Sequence, residues 1–253
     1  MKRRMRNLLG LSLPGAILIF WWSATRYGII PKQILPAPAA VWAVYMNGDV
    51  RGRIFTHLFV SLQRVLIGFF AASVIGVTLG SLTGISKTLK AIILPTLTAV
   101  RQIPIVAWVP LLIVWFGIGE AAKVVIIILA AFFVIYVNTH AGISETPACY
   151  LELAKLYKLS KTKTFISVYL PYALPHILTG LQLGLGVSWM AVVASELISA
   201  TSGIGYYMND ARFLMRSDIM IACMLIIGIM GILMNTVLVR IFALVTPWMR
   251  ERE

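Results

Sequence analysis

The sequence predicts an all-α membrane protein with about six transmembrane helices. Hydrophobic residues make up 60% of the 253 residues and charged residues only 12%, whereas about a quarter of a typical soluble domain is charged. The apolar residues also occur in runs of about 20, the length with which a helix crosses roughly 30 Å of hydrocarbon. A chain of this length with six such helices has no room for a large soluble domain.

The first element, residues 1–33, begins with basic residues followed by an apolar stretch. Secretory signal peptides and first transmembrane helices share this pattern. The apolar stretch continues to Trp21 and Trp22 without a clear cleavage site, so we expect a retained transmembrane helix. Residues 34–57 begin with "ILPAPAAVW", which predicts an extended, proline-containing entry and a short amphipathic helix at the outer surface.

The remaining residues, 58–253, carry five further apolar runs, which we predict to span the membrane at about 58–84, 91–116, 122–141, 166–198 and 219–243. Prolines should disturb two of these helices. Pro104 and Pro110 predict a broken helix in the third span from the N-terminus. Pro171 and Pro175 predict that the fifth membrane helix begins close to Pro175.

The cations lie mainly at the ends of the apolar runs, although the net charge is +13. That placement is typical of membrane topology signals rather than of a nucleic-acid-binding face. With the N-terminus inside, the inner side receives more lysine and arginine than the outer side. The cations on the inner side are Lys2, Arg3, Arg4, Arg6, Lys87, Lys90, Lys155, Lys158, Lys161, Lys163, Arg240, Arg250 and Arg252. We therefore expect both termini and the basic loop 145–165 in the cytoplasm, and no nucleic-acid partner.

The loop 145–165 interrupts the apolar runs with a helix-forming, lysine-rich segment. Thr146 and Pro147 favour a helix start, because threonine can cap a helix and proline suits its first turn. Ser160 can cap a second short helix. The segment therefore predicts a helix, a turn and a second helix.

An apolar stripe on the first of these helices is too short to span a membrane. Leu153, Leu156 and Tyr157 share one face at helical spacing, while Lys155 and Lys158 point elsewhere. The stripe fits two interpretations. One is a surface helix whose lysines meet anionic lipid, and the other is a docking element that fits a groove on another protein.

Beginning at Pro147, the loop matches the pattern P-x4-E-L-A-x3-K-x9-V-x-LP. This pattern resembles the cytoplasmic Glu-Ala-Ala loop in the permease subunits of ABC importers, with Glu152 and Ala154 at its first and third positions. The resemblance implies a coupling helix that sits in a cleft of the ATP-binding subunit. The coupling residues would be Pro147, Glu152, Leu153, Ala154, Leu156, Tyr157, Lys158 and Ser160.

Two residues of the loop depart from the family pattern. Leu153 replaces the usual alanine, and Lys158 stands where the family normally has glycine. Glycine supplies a positive-φ turn cheaply, whereas lysine costs about 1 kcal/mol there. We therefore expect either that the turn has moved to Ser160 or that the first helix runs longer.

Four further blocks resemble the nitrate/sulfonate/taurine branch of these permeases, namely "HLFVSLQRVLIGFF" (57–70), "RQIPIVAWVPLLIVWFGIGEAAK" (101–123), "LPYALPHILTGLQLGLGVSW" (170–189) and "ASELISATSGIGYYMNDA" (194–211). The resemblance implies the type I ABC importer permease fold in a bacterial inner membrane, surrounded by lipid. The permease would act as a homodimer with two ATP-binding subunits, which bind the ATP and Mg, and an extracytoplasmic solute-binding protein. The solute would be small and anionic, of the sulfonate, taurine, nitrate or bicarbonate class, with a pyrimidine vitamin precursor as the alternative.

Polar residues within predicted spans are costly and therefore mark candidate functional positions. Arg101 either faces a cavity, where it would suit an anionic solute, or extends to the inner headgroups. Glu196 either pairs with an arginine across a subunit interface or belongs to an outer gate, and Arg64 has a structural role. The pathway or gate candidates are Arg101, Gln102, Trp108, Ser188, Trp189 and Glu196.

The outer ends of the spans contain the candidates for contact with the solute-binding protein. Glu120 predicts a local surface pair with Lys123, three residues later. The sequence "SGIGYY" (202–207) predicts a tight outer turn with aromatic residues at the interface. The candidates are Glu120, Ser202, Tyr206 and Tyr207.

Glycines at every fourth residue predict close helix packing rather than chemistry. They are Gly76, Gly80 and Gly84 in one span and Gly180 and Gly184 in another.

Nothing in the sequence is typical of an enzyme. His57, His140, His176 and the two cysteines are scattered, which argues against a metal centre. The phosphate-loop pattern GxxxxGK[ST] is absent, so we expect a non-catalytic subunit whose partner hydrolyses ATP. The rival interpretations are a stand-alone secondary transporter, which would show inverted halves with paired broken helices, and a membrane scaffold that moves no solute.

Overall fold

The computed structural model of the chain describes residues 2–246, with side chains from residue 12 onward except that of residue 245. The regular elements in that range are all helices, which confirms the all-α prediction. They are α1 (Lys2–Arg26), α2 (Pro38–Met46), α3 (Gly48–Ile85), α4 (Lys87–Arg101), α5 (Ile105–Phe116), α6 (Glu120–Ser144), α7 (Ala148–Leu156), α8 (Lys161–Thr164), a π-helical turn (Phe165–Tyr169), α9 (Leu170–Ser199), α10 (Ile204–Phe213) and α11 (Ser217–Val245). Of the cations that predicted the orientation, Arg250 and Arg252 lie outside the described residues, as do the side chains of the four at the N-terminus.

Four helical segments in the described range are long and apolar enough to cross a membrane, namely Gly48–Ile85, Glu120–Ser144, Lys161–Ser199 and Ser217–Leu244. The pair α4 and α5 passes the same test as one broken span. Side chains are described for only part of α1, so its role as a first span stays a prediction.

Helix α3 begins at Gly48, well before the predicted start of its span near residue 58. The Asn47 side chain explains this start, because its carbonyl oxygen accepts hydrogen bonds from the backbone N–H groups of Asp49 and Val50 at 3.1 and 3.2 Å. The predicted short helix after the proline entry is α2, which packs on α11 through a 2.7 Å hydrogen bond from the Tyr45 hydroxyl to the Ala222 carbonyl.

Helix α6 forms the centre of the fold, packed between α3 and α9. Glycines allow this close approach, and a Cβ at Gly80 would lie 2.7 Å from the Cβ of Thr139. At the contact of α6 with α9, a Cβ at Gly184 would lie 2.7 Å from the Ile135 side chain. The prediction that the repeated glycines serve helix packing is confirmed.

The predicted break in the third span lies at Pro104. Helices α4 and α5 meet there at 97°. Proline disfavours a helical conformation in the residue before it, so α4 ends at Arg101 and α5 begins at Ile105. Pro110 lies inside α5 without ending it.

The fifth predicted span has no break near its start. The helix continues from Lys161 to Ser199, so the prediction that Pro171 and Pro175 break it is wrong. Proline removes one backbone donor and crowds the carbonyl four residues earlier. Here the π-helical turn widens the helix just before Pro171, with the Leu170 N–H bonded to the Phe165 carbonyl, and makes room for the ring.

Two ends of the bundle are distinguished below. The loop end carries α7 and α8, which follow the last residue of α6, Ser144. The network end carries α10 together with the first residue of α6, Glu120.

Candidate functional site

The loop end presents a short helix whose start is set by proline rather than by threonine. Pro147 is the residue before the first helical position of α7, with extended dihedrals of φ −60° and ψ 139°, and no side chain caps the helix. The Thr146 hydroxyl is buried and has no hydrogen-bond partner among the described residues. The predicted threonine cap is therefore wrong, although the helix begins where the sequence predicts.

The turn between α7 and α8 lies at Lys158, which adopts the left-handed conformation with φ of 51°. The Leu159 N–H bonds to the Ala154 carbonyl at 3.0 Å, and the Lys158 N–H bonds to the Lys155 carbonyl at 2.9 Å. These two bonds form a Schellman motif. Lysine thus occupies the conformation that suits glycine, and both expectations for this position, a turn moved to Ser160 and a longer helix, are wrong.

Ser160 has the predicted role as the cap of α8. Its hydroxyl accepts a hydrogen bond from the Lys163 N–H at 3.3 Å. The predicted helix–turn–helix arrangement is therefore present.

The apolar stripe of α7 faces away from the rest of the chain. Leu156 is 76% exposed, Tyr157 is 75% exposed, and Leu153 is also exposed. Glu152 lies on the exposed surface, whereas Ala154 is buried on the opposite side. Large exposed apolar side chains beside lysines, on a helix that ends in a Schellman motif, form a surface suited to a protein partner.

The pathway candidates separate into three environments. Arg101 and Gln102 are exposed at the break between α4 and α5, and Arg101 lines two cavities described below. Trp108 is partly buried against the contact of α5 with α6. Ser188 and Trp189 are buried and donate hydrogen bonds to the backbone carbonyls of Gly184 (2.8 Å) and Ile227 (3.0 Å).

Glu196 lies at the network end, where it contacts Arg64 of the same chain. The Arg64 side chain is 3% exposed and donates from Nη1 to Glu196 Oε1 at 2.7 Å. It also donates from Nη2 to Glu120 Oε1 at 2.6 Å and to the Ser202 hydroxyl at 2.6 Å. Lys123 pairs with Glu120 at 3.1 Å, as predicted, but Lys123 is buried rather than at the surface. Two buried cations thus meet two carboxylates, which leaves the cluster neutral.

Side chains from α3 and α9 cap the first turn of α10. The backbone N–H groups of three consecutive residues donate to them: Gly203 to His57 Nδ1 at 3.1 Å, Ile204 to the Ser61 hydroxyl at 2.8 Å, and Gly205 to Glu196 Oε2 at 2.9 Å. The Ser61 hydroxyl in turn donates to the Glu196 carboxylate at 2.7 Å. Since the first N–H groups of a helix have no partner within it, these contacts fix the start of α10.

Only glycine fits at two of these positions. Gly203 has φ of 113°, and a Cβ there would overlap the Glu196 carboxylate. A Cβ at Gly205 would lie 2.7 Å from the Val193 carbonyl oxygen. The predicted tight turn in "SGIGYY" is therefore a close approach of backbone to a buried carboxylate.

The four candidates for binding-protein contact share the network end but differ in exposure. The Glu120 side chain is 62% exposed although it is bonded to Arg64. Ser202 is held by the same arginine. Tyr207 is buried and stacks on His57 with ring centroids 5.1 Å apart, and Tyr206 lies half-buried beside the same ring. Burial raises the pKa of the Tyr207 hydroxyl.

The sequence interpretation missed Ser61 and His57 as partners of the α10 turn. One signal was present, since Ser61 precedes Arg64 by three residues and so shares its helix face. Another was the pair Gly203 and Gly205, because closely spaced glycines indicate close backbone approach.

Comparison with known proteins places this geometry in a family. Residues 65–251 match the family described as "Binding-protein-dependent transport system inner membrane component". The chain belongs to this family. The permease is 33% identical over 248 residues to the taurine transport system permease protein TauC of Escherichia coli (strain K12). The aligned region covers 96% of this chain and 90% of that protein.

The permease also resembles the nitrate import permease protein NrtB of Synechocystis sp., with 34% identity over 220 residues. The aligned region covers 86% of this chain and 80% of that protein. The fold of the permease matches a chain of the MetNI methionine ABC transporter in an inward-facing conformation, with a TM-score of 0.66 and 19% identity over 77% of this chain and 97% of that chain. The predicted branch and the predicted ABC importer permease fold are confirmed. The protein is a multi-pass inner-membrane permease subunit of an ABC importer.

Proposed function

We propose that this permease moves a small oxyanion across the membrane, powered by ATP-binding subunits that dock on the segment formed by α7 and α8. The exposed apolar stripe of Leu153, Leu156 and Tyr157 is the observation that carries the proposal. Such a stripe fits a groove on a partner protein. ATP and Mg are bound by that partner, and this chain is non-catalytic.

A continuous helix connects the docking segment to the opposite end of the bundle. The helical segment Lys161–Ser199 has 39 residues, which corresponds to roughly 58 Å at 1.5 Å per residue. It begins directly after the turn at Lys158, and near its far end Glu196 holds α10. A displacement of α7 and α8 is therefore passed along α9 to the network end, where it changes access to the pathway.

The complete importer contains two copies of the permease around one pathway, two ATP-binding subunits at the loop end and a solute-binding protein at the network end. In this arrangement the loop end and both termini face the cytoplasm. The lysines of α7 and α8 support the orientation, because positive loops remain inside. Glu120, which is 62% exposed, and the half-buried Tyr206 lie where a binding protein would rest.

Relatives named for taurine and nitrate transport support the oxyanion class of solute. Sulfonate, taurine, nitrate and bicarbonate share a small size and a negative charge spread over oxygen atoms.

The docking proposal is tested by co-expressing the permease with a tagged ATP-binding subunit and measuring the permease that co-purifies. We expect Leu156→Asp and Glu152→Lys to reduce capture at least tenfold, as loss of an interface hot spot does. Leu214→Asp is the matched control, because Leu214 is similarly exposed but lies at the network end. All three variants should remain monodisperse in detergent. Normal capture of both loop variants would contradict the proposal.

A second measurement separates transport from a scaffold role. We expect the solute-loaded binding protein to stimulate ATP hydrolysis by the complete complex in vesicles, and labelled solute to accumulate inside. A rate of ATP hydrolysis that does not change when the solute-loaded binding protein is added would favour the scaffold interpretation.

A further inference from the structure

We propose that Arg101 binds the oxyanion part-way along the pathway, between two cavities that both open onto its side chain. The proposal rests on the proposed function, since it concerns the solute that this permease carries. It assigns the anion to one side chain at the break between α4 and α5.

Arg101 differs from the buried cations of the network end in having no carboxylate partner among the described residues. Arg64 and Lys123 are both paired with glutamate. Arg101 is the last residue of α4 and is exposed, three residues before Pro104. A free guanidinium presents up to five N–H donors in a planar fork that matches an oxyanion.

Two cavities meet at this side chain. A smaller cavity of 160 Å³ lies on one side and a larger one of 360 Å³ on the other. Arg101, Phe133 and Val137 line both. At roughly 30 Å³ for each water-sized group, even the smaller cavity holds an anion of about five heavy atoms. The Arg101 guanidinium can therefore stay in contact with an anion that moves from one cavity to the other.

The smaller cavity contains further polar groups. Tyr136 lines it and is buried, and its hydroxyl has no hydrogen-bond partner among the described residues. His140 also lines it, with Nδ1 held 3.0 Å from the Thr83 hydroxyl. A buried hydroxyl without a partner costs free energy, and an oxyanion in this cavity would offer it an acceptor.

The larger cavity includes the start of α5. Ile103, Pro104 and Ile105 line it, and no side chain caps the first N–H groups of α5. These groups carry the positive end of the helix dipole. They add to the field of Arg101, which remains the residue that defines the site.

The part of α6 that lines both cavities together with Arg101 lies away from the end of that helix, which argues against a role of Arg101 in binding lipid headgroups. The shared lining residues Phe133 and Val137 precede the last residue of α6, Ser144, by between 7 and 11 positions. At 1.5 Å per residue this is roughly 10 to 16 Å of helix. An arginine at that depth is costly unless it faces a cavity or a counter-charge, and the two cavities supply the space for one.

The test measures the local electrostatic potential with charged thiol reagents. In a permease in which Cys149→Ser and Cys223→Ser remove the native thiols, Thr98→Cys places a thiol in the smaller cavity and Ile103→Cys one in the larger. Each is labelled with 2-sulfonatoethyl methanethiosulfonate, itself a sulfonate, and with its trimethylammonium counterpart. The readout is the ratio of the anionic to the cationic labelling rate.

We expect Arg101→Gln to lower this ratio about tenfold at both thiols, since the two reagents feel the lost charge with opposite sign. Arg101→Lys should keep most of the ratio, and Arg212→Gln, a matched loss of a cation in α10, should leave it unchanged. Methanesulfonate should compete for the anion site and slow labelling by the anionic reagent in the permease that retains Arg101, but not in the Arg101→Gln variant. An unchanged ratio in Arg101→Gln at both thiols would overturn the proposal.

Vesicle composition identifies the source of the anion. Labelling is repeated in phosphatidylcholine alone and with phosphatidylglycerol added. A ratio that collapses only when phosphatidylglycerol is present would show a lipid headgroup on Arg101 and overturn the solute assignment. Capture of the ATP-binding subunit is measured on the same variants, so a failed anion site with normal capture leaves the proposed function standing.

Discussion

Arg64 and Glu196 form a buried ion pair between residues that are 132 positions apart, with 2.7 Å between Nη1 and Oε1. The two side chains are 3% and 0% exposed. The sequence interpretation expected Glu196 to meet an arginine of another subunit or to belong to a gate, and the structure pairs it within its own chain. The pair joins α3 to α9 beside the capped start of α10.

Removing one partner of this pair should destabilise the fold strongly. We expect Arg64→Met to lower the free energy of unfolding by about 3–5 kcal/mol, because it leaves the Glu196 charge buried without a counter-charge. Thermal unfolding of the detergent-solubilised permease measures the effect. The double variant Arg64→Met with Glu196→Gln should recover part of the loss, since glutamine carries no charge and can still accept from Gly205. A double variant as unstable as Arg64→Met would contradict the charge explanation.

The start of α10 should not tolerate a side chain at Gly203. We expect Gly203→Ala to destabilise the permease by about 2 kcal/mol or more, because its φ of 113° is unfavourable for alanine and the new Cβ overlaps the Glu196 carboxylate. Gly228→Ala is the control, since no atom lies within 4 Å of a Cβ there. The melting temperatures of the two variants should differ, and equal values would refute the predicted overlap.

The glycine stripe makes a similar prediction for the contact of α3 with α6. We expect Gly80→Ala to cost about 1–3 kcal/mol, because its Cβ would lie 2.9 Å from the Tyr136 carbonyl oxygen, which belongs to the backbone and cannot rotate away. Gly186→Ala, which meets open space in α9, is the matched control. Unfolding in detergent compares them, and a neutral Gly80→Ala would show that the two helices can separate freely.

The turn at Lys158 should be more stable with glycine at this position. We expect Lys158→Gly to stabilise the turn by about 1 kcal/mol, because glycine adopts the left-handed conformation without a Cβ penalty. Hydrogen exchange of the Leu159 amide, which bonds to the Ala154 carbonyl, should slow about fivefold. Lys155→Gly, inside α7, should have the opposite effect. Faster exchange in Lys158→Gly would show that the lysine contributes contacts of its own.

Local features of the fold could be predicted because they depend on neighbours in sequence. Hydropathy over about 20 residues located the spans, Pro104 broke the helix that contains it, and the loop pattern located α7. Lys158 shows the limit of such reasoning, since an intrinsic cost of about 1 kcal/mol is offset here by the two Schellman hydrogen bonds. Pro171 shows the same limit, because a π-helical turn makes room for the proline ring and the helix continues past it.

By itself the sequence determined the class of the protein, the apolar segments from α3 to α11 that are long enough to span a membrane, the helical loop that carries α7 and α8, and the family. The tertiary structure alone decided which charges meet. Arg64, Glu120 and Glu196 lie on three different helices, and their pairing depends on how closely glycines let those helices approach. The same packing leaves Arg101 beside two cavities without a carboxylate partner among the described residues. Hydropathy and helical periodicity are properties of a short segment, whereas the partner of a buried charge is a property of the assembled bundle.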